Sequence, residues 1–416
     1  MSMKLPIAEA AQKLDVSIDT LRRWDKLGVI RADRDSKGRR TFDVLEVRRL
    51  QNKRNVRAAG DRTLFRNPKL PTANLTSIDL FAGGGGTALG LENAGFDHLL
   101  LSEIDQHAAQ TLRNNRPNWD VREGDVADID FTPYRGEVDL LEGGFPCQAF
   151  SYAGNSKGFG DPRGTLFFEF ARAIMESHPK AFVGENVRGL LQHDGGRTFE
   201  TMLATLKSIR DPETGLGYKI GFKVLKAQYF DVPQKRERLI LVGLREDIDA
   251  PLLLPKERDY TISLWEAIGD KPKSDGAAYP AKKHRILDLV PPGGYWRDLP
   301  EDLQREYLGG SYHLSGGKTG MARRLAWDEP SLTLTCAPAQ KQTERCHPEE
   351  TRPLNVREYA RIQTFPDDWK FSGRTTHAYK QIGNAVPVNL GFHIGTAVRA
   401  MLTGDNLEDF EELKVL

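Results

Sequence analysis

Leu75-Thr76-Ser77-Ile78-Asp79-Leu80-Phe81-Ala82-Gly83-Gly84-Gly85-Gly86 is the stretch whose reading decides the fold. Its first seven residues read as a largely apolar strand, and the run stops at glycines. Ala88, Leu89, Leu91 and Ala94 follow at helical spacing. Strand, glycine loop and helix in this order form the unit through which a doubly wound sheet offers backbone N–H groups to a nucleotide-like ligand. The next apolar run, Leu99-Leu100-Leu101-Ser102-Glu103-Ile104-Asp105, predicts a second strand. It ends in acid about twenty residues on, where such folds hold a ribose hydroxyl. A third apolar turn carries Gly124-Asp125-Val126. Acid-bearing strand ends in this order point to an adenosyl cofactor.

Further along, Leu140-Leu141-Glu142-Gly143-Gly144-Phe145-Pro146-Cys147-Gln148-Ala149-Phe150-Ser151 reads as another strand end, with a thiol at the carboxyl edge of the sheet. The loop 151–164 is rich in glycine and carries Ser151, Lys157 and Arg163. Its composition predicts a lid able to close over an anionic ligand. A helix is expected from Leu166 to about Glu176, then a buried strand Ala181-Phe182-Val183-Gly184-Glu185-Asn186-Val187 with an acid near its end. After a helix near 199–209, strands Phe222–Ala227 and Leu239–Leu244 flank Gln234-Lys235-Arg236-Glu237-Arg238.

Upstream, residues 4–50 read as a small helical unit. Ile7, Ala10, Ala11 and Leu14 mark one helix, and Ser17 caps a second that offers Asp19, Thr20, Arg22 and Arg23 on its outer surface. Lys37-Gly38-Arg39-Arg40 forms the turn of a basic wing. Thr20-Leu21-Arg22-Arg23-Trp24, Gly28-Val29-Ile30 and Gly38-Arg39-Arg40-Thr41-Phe42 resemble the winged helix-turn-helix head of MerR-like and excisionase-like proteins. The resemblance implies DNA contact through Thr20, Arg22, Arg23, Arg39 and Arg40.

Charge supports that division. The 416 residues carry a net +1, but residues 1–70 hold 18 Lys+Arg against 9 Asp+Glu, leaving the rest at 41 against 49. A basic head on a mildly acidic body suits a polyanion at the head. The three cysteines, Cys147, Cys336 and Cys346, form no Cys-x-x-Cys pair, so a disulfide framework and a structural zinc are not expected. No apolar run is long enough for a bilayer span and no signal-type segment opens the chain, so the expected location is cytoplasmic, without membrane or metal.

From about Ser77 onward the chain resembles the DNA (cytosine-5)-methyltransferases. The motifs, in the family's order, are Asp79-Leu80-Phe81-Ala82-Gly83-Gly84-Gly85-Gly86, Phe145-Pro146-Cys147-Gln148, Glu185-Asn186-Val187, Gln234-Lys235-Arg236-Glu237-Arg238, Arg357-Glu358-Tyr359-Ala360-Arg361-Ile362-Gln363-Thr364-Phe365-Pro366 and Gln381-Ile382-Gly383-Asn384-Ala385-Val386-Pro387. The resemblance implies S-adenosyl-L-methionine as cofactor, held by Phe81, Ala82, Gly83, Gly85, Gly86, Glu103, Ile104, Asp125, Val126, Pro146, Asn384 and Val386. It implies Cys147 as the nucleophile at cytosine C6, Glu185 as the acid at N3, Arg238 on O2, and Arg236 ordering the thiol or the pocket. Because C6 is stacked within a duplex, the base must flip out.

The expected organisation is a winged-helix domain over 1–55, a basic linker over 56–74 and a Rossmann-like methyltransferase sheet over 75–250. An irregular target-recognition domain over 251–370 follows, and a segment over 371–416 returns to the catalytic domain. The irregular region carries aromatic and basic residues on loops, with Gln340 and Lys341 as further DNA contacts. Its run through Cys346-His347-Pro348 resembles enzymes acting on GGCC-like sites with a degenerate centre. A restriction–modification methyltransferase, with double-stranded DNA and a cognate restriction endonuclease as partners, is the resulting reading. A tRNA cytosine-5 methyltransferase and a DNA-binding regulator with a vestigial methyltransferase body are the alternatives.

Overall fold

A computed structural model describes residues 4–14, 16–26, 30–35, 38–44, 47, 50, 68–145, 165–316 and 318–416. The chain divides into two units, Met1–Arg66 and Asn67–Leu416. In the first, β1 (Lys4–Pro6), α1 (Ile7–Lys13), α2 (Ile18–Lys26), β2 (Ala32–Arg34) and β3 (Arg40–Asp43) surround a small core. Ser17 Oγ accepts the Thr20 N–H at 3.0 Å, which caps α2 and sets its start. The strands form an antiparallel sheet with β3 in the middle, and Leu5 and Ala32 both register against Phe42. Phe42 therefore enters the core with Ala10, Leu21 and Ile30. Arg40 is paired with Asp25 at 2.9 Å, and Asp25 also accepts the Ala32 N–H at 3.0 Å. That backbone bond and Arg40 hold the Asp25 carboxyl below its usual range and tie the wing to α2.

The second unit opens with β4 (Leu75–Leu80), α3 (Gly86–Ala94), β5 (Phe96–Glu103), α4 (Gln106–Asn115), β6 (Val121–Glu123) and β7 (Leu140–Gly143). It continues with α5 (Thr165–Ser177), β8 (Ala181–Val187), α6 (Arg197–Ser208), β9 (Tyr218–Lys226), β10 (Gln234–Lys235) and β11 (Glu237–Arg245). The sheet has the order β6-β5-β4-β7-β8-β11-β9. Strands β6 to β8 are mutually parallel, while β11 runs antiparallel between β8 and β9. Strand order reverses between β4 and β7, and ligands of such sheets bind beyond the carboxyl ends at that switch point. Because β11 runs the other way, its amino end arrives at the same edge.

Beyond the sheet lie β12 (Leu253–Pro255), α7 (Leu264–Ile268), α8 (Ala281–Leu287), α9 (Glu301–Leu308), β13 (Ser331–Leu332), α10 (Val356–Ile362) and α11 (Thr375–Asn384). A separate small core there gathers Tyr279, Leu287, Trp296, Tyr307 and Cys346. The chain then returns through α12 (Val388–Thr403) and β14 (Phe410–Glu412), which pairs with β12. Two cores sandwich the sheet. Leu91, Leu390 and Ile394 cover one face, and Phe167, Phe170 and Phe199 cover the other. Helices α3 and α12 cross so closely that a Cβ at Gly90 would lie 2.6 Å from both Phe392 N and Val388 O.

One expected strand end moves. β5 stops at Glu103, and Asp105 instead caps α4, accepting the N–H groups of His107 and Ala108 at 3.0 and 3.2 Å. An Asp just before a helical pattern gains more as a cap than as the last residue of a strand. Among the described residues no helix is long and apolar enough to cross a membrane, and no His/Cys/Asp/Glu cluster could hold a metal.

Candidate active site

The glycine loop leaves β4 through Phe81, a non-glycine residue held at φ 62°, followed by Gly83 and Gly85 at 55° and 87°. Left-handed backbone at Phe81 is strain that the surroundings must hold. Ala82 N–H donates to Ser102 O at 3.0 Å, and Gly83 N–H to Glu103 Oε2 at 2.7 Å. Glu103 Oε1 accepts Asp105 N–H, also at 2.7 Å. Burial pushes the Glu103 carboxyl up, and these N–H groups oppose the shift. With three backbone N–H groups on it, Asp105, Gly83 and Ile104, the carboxylate retains a lone pair for a hydroxyl. Gly124 N–H donates to Glu103 O at 3.1 Å, which brings the end of β6 beside that of β5. A Cβ at Gly86 would fall 2.0 Å from the Val386 carbonyl, so glycine there lets the segment after α11 close on the loop. Ile104, 71 % exposed, stands at the mouth. A glycine cradle at a helix amino end, a buried carboxylate and an uncovered apolar side chain fit an adenosyl-type cofactor.

The other half of the site comes from β8 and β11. Ile240 registers opposite Glu185, so Arg238, two residues away on the same face, reaches Glu185 diagonally and forms an ion pair with it. Asn186 Nδ2 donates to Phe145 O at 2.7 Å, tethering the end of β8 to the residue just before Pro146. Arg236 points inward. It is 2 % exposed and donates to Leu334 O at 3.2 Å and to Gly383 O at 3.1 Å. Burial pushes its guanidinium down to about 9. A small, mostly apolar crevice lies between the two halves, lined by Thr87, Leu91, Leu140, Glu142, Glu185 and Val386 among others.

This geometry can be set beside known proteins. The family model for C-5 cytosine-specific DNA methylases matches residues 75–400, and that for MerR family regulatory proteins matches residues 6–42. The type II methyltransferase M.Eco47II of Escherichia coli is 55 % identical over 406 residues, covering 95 % of each chain. M.Sau96I of Staphylococcus aureus is 50 % identical over 328 residues, 77 % of this chain and 75 % of its own. The chain belongs to the C-5 cytosine-specific DNA methylases. It is therefore an enzyme of DNA methylation, with a MerR-like head. Solved structures share the fold at low identity. Spodoptera frugiperda DNMT2 has a TM-score of 0.57 at 15 % identity, covering 78 % of this chain and 99 % of its own. Entamoeba histolytica EhMeth gives 0.56 at 15 %, covering 80 % and 98 %.

In this methylase Phe81, Ala82, Gly83, Gly85, Gly86, Glu103 and Val386 come together, with Asn384 exposed at the edge and accepting the Cys336 thiol at 2.8 Å. Asp125 accepts the Ala127 N–H at 3.0 Å, capping a short turn, and the side chain of Val126 is buried in the core. Pro146, Cys147, Ser151, Lys157 and Arg163 lie outside the described residues. Lys341 donates to Leu308 O at 3.2 Å and covers the Tyr307 ring, while Gln340 is exposed. In the head, Arg22 and Arg39 pair with Asp19 and Asp35 at the surface, and Thr20 meets Ser17.

Several supporting residues of the methylase were not singled out by sequence. Gln234 Nε2 donates to Gln363 Oε1 at 2.8 Å, and Gln363 Nε2 donates to Ile382 O at 2.6 Å. Leu334 N–H donates to Gln234 Oε1 at 2.9 Å. These buried amides and Arg236 join β10, the segment just after β13 and the end of α11 into one support. Their motifs were visible, but side-chain direction was not.

Proposed function

We propose that this methylase is the modification enzyme of a type II restriction–modification system. It flips a cytosine out of duplex DNA and methylates C5, protecting the DNA from a cognate restriction endonuclease. The observation that carries the reading is the Glu185–Arg238 pair at the sheet edge, tied through Asn186 to Phe145, two residues before Cys147. A carboxyl beside a guanidinium matches the N3 and O2 edge of cytosine.

In this reading the Cys147 thiolate adds to C6 and forms the S–C bond, while the C5–C6 π electrons move through the ring toward N3. Glu185 hands a proton to N3, and Arg238 holds O2. S-adenosylmethionine, when bound in the cradle of Phe81, Gly83, Glu103 and Val386, supplies the methyl group. A base then takes the C5 proton and Cys147 leaves as thiolate. Arg236 positions these groups without touching the base. The aromatic side chains Tyr295, Trp296 and Tyr312, covered by Arg323, Arg297 and Arg305, support groove contact by the region before β13. The proposed target is a GGCC-like site with a degenerate centre. The head adds DNA affinity or represses its own promoter.

The test is expression in a methylation-free host with bisulfite mapping. Protected cytosines at one short duplex site are expected, and none would refute the reading. Cys147→Ala should abolish turnover while keeping cofactor and DNA binding; retained turnover contradicts the covalent route. Transfer to tRNA in preference to duplex DNA would overturn the substrate.

A further inference from the structure

Asp79 and Glu142 belong to no step described so far. They face each other across β4 and β7 in register, so their carboxyls stand on the same face of the sheet as neighbours, and each acts on the other's ionisation. Asp79 is 1 % exposed and Glu142 2 %. Asp79 Oδ2 is buried with no hydrogen-bond partner. Among the described residues, no Lys, Arg or His forms an ion pair with either carboxyl. Two such groups side by side do not both ionise, so once the first proton has left they share the other and together carry one net negative charge.

The position of that charge is what gives it meaning. Glu142 lines the crevice with Thr87 and Val386, which flank the glycine cradle, and with Glu185, which belongs to the base side. Methyl transfer requires the reacting sulfur to lie between these two sides. The groups facing the pair are Glu103 from β5 and Glu185 from β8. The latter is already neutralised by Arg238. Helices α3 and α12 contribute Thr87, Leu91 and Ile394, none of them charged.

We propose that the Asp79–Glu142 pair is a buried anion that recognises the sulfonium charge of S-adenosylmethionine, so that the charged donor is bound in preference to the neutral product, S-adenosylhomocysteine. This rests on the cofactor reading above. The α-ammonium is common to both ligands and cancels in their ratio. For two unit charges on the order of 10 Å apart at an effective dielectric near 20, Coulomb attraction changes affinity on the order of tenfold, which sets the scale of the effect. The same attraction stabilises the donor before reaction, and it disappears once the methyl has left. Product release therefore gains at some expense to reactivity.

The experiment is calorimetric titration of the full chain with each ligand separately at pH 8, for the wild type and the double variant Asp79→Asn/Glu142→Gln, since a single amide leaves the other carboxyl to carry the charge. The folded double variant should lose roughly tenfold of the donor-over-product preference. An unchanged ratio in the folded double variant overturns the inference, even if both affinities fall. Should it not fold, the wild-type ratio between pH 6 and 8.5 decides. It should rise with pH as one carboxyl of the pair ionises, and a flat ratio sinks the idea. If the wild type binds neither ligand, the cofactor reading itself has failed.

Discussion

Replacing Arg236 by Lys tests whether this residue is a strut or a catalytic group. The guanidinium spans two carbonyls, Leu334 O at 3.2 Å and Gly383 O at 3.1 Å, from a position 2 % exposed. An ammonium is compact and reaches only one of them. The lost bond is charge-assisted and its carbonyl stays buried, so the cost is about 1.5–3 kcal/mol. A unit the size of Asn67–Leu416 melts with an entropy that converts this to about 2–4 °C in Tm. Gly383 directly precedes Asn384, Ala385 and Val386, which close on the glycine loop. The functional effect should therefore be a raised KM for the cofactor, with kcat changed less than about threefold. Thermal melting and initial-rate methylation at varied cofactor concentration measure both. If kcat collapses about a hundredfold while Tm and the cofactor KM stay put, Arg236 meets the base itself and the strut argument is wrong.

The Asp79–Glu142 pair makes stability depend on pH. Burial raises both carboxyls, Asp79 to about 7 and Glu142 well above its ordinary value. With folded values above unfolded ones, their contribution is full below the unfolded range near pH 4 and is lost as pH rises through the folded values. Asp79→Asn should therefore gain more Tm over the wild type at pH 8 than at pH 5, and an equal difference at both would refute the shared proton. At Gly90, alanine improves helix propensity by about 1 kcal/mol but drives a methyl into backbone 2.6 Å away. A net loss of about 1–2 kcal/mol is expected from urea unfolding, and stabilisation would mean that α3 and α12 can separate. Removing residues 1–66 should leave kcat within about twofold, since the second unit holds both sheet-facing cores, while the salt dependence of DNA binding becomes shallower. Loss of all methylation at saturating DNA would make the head part of the catalytic unit.

Much of the architecture was legible because it is local. The run from Leu75 to Gly86 carries its own strand, turn and helix signals, and the helix expected at Leu166–Glu176 appears as α5, slightly longer. Asp105 was misread as a strand end because capping competes with extension at the same residue, and the outcome depends on where α4 begins.

By itself the sequence determined the doubly wound unit, the order of the motifs, and which residue types stand near the thiol, since periodicity, glycines and spacing are properties of neighbouring residues. Only the tertiary structure decided what each side chain does. Arg236 and Arg238 are two residues apart, yet one is a buried strut and the other meets Glu185, because β11 runs antiparallel to β8 and fixes which residue lies diagonal to the acid. Asp79 and Glu142 are far apart in the chain. They became a buried carboxyl pair only because β4 and β7 are neighbours at the point where the sheet reverses its order. Register and strand direction are set by long-range pairing, and no local pattern encodes them.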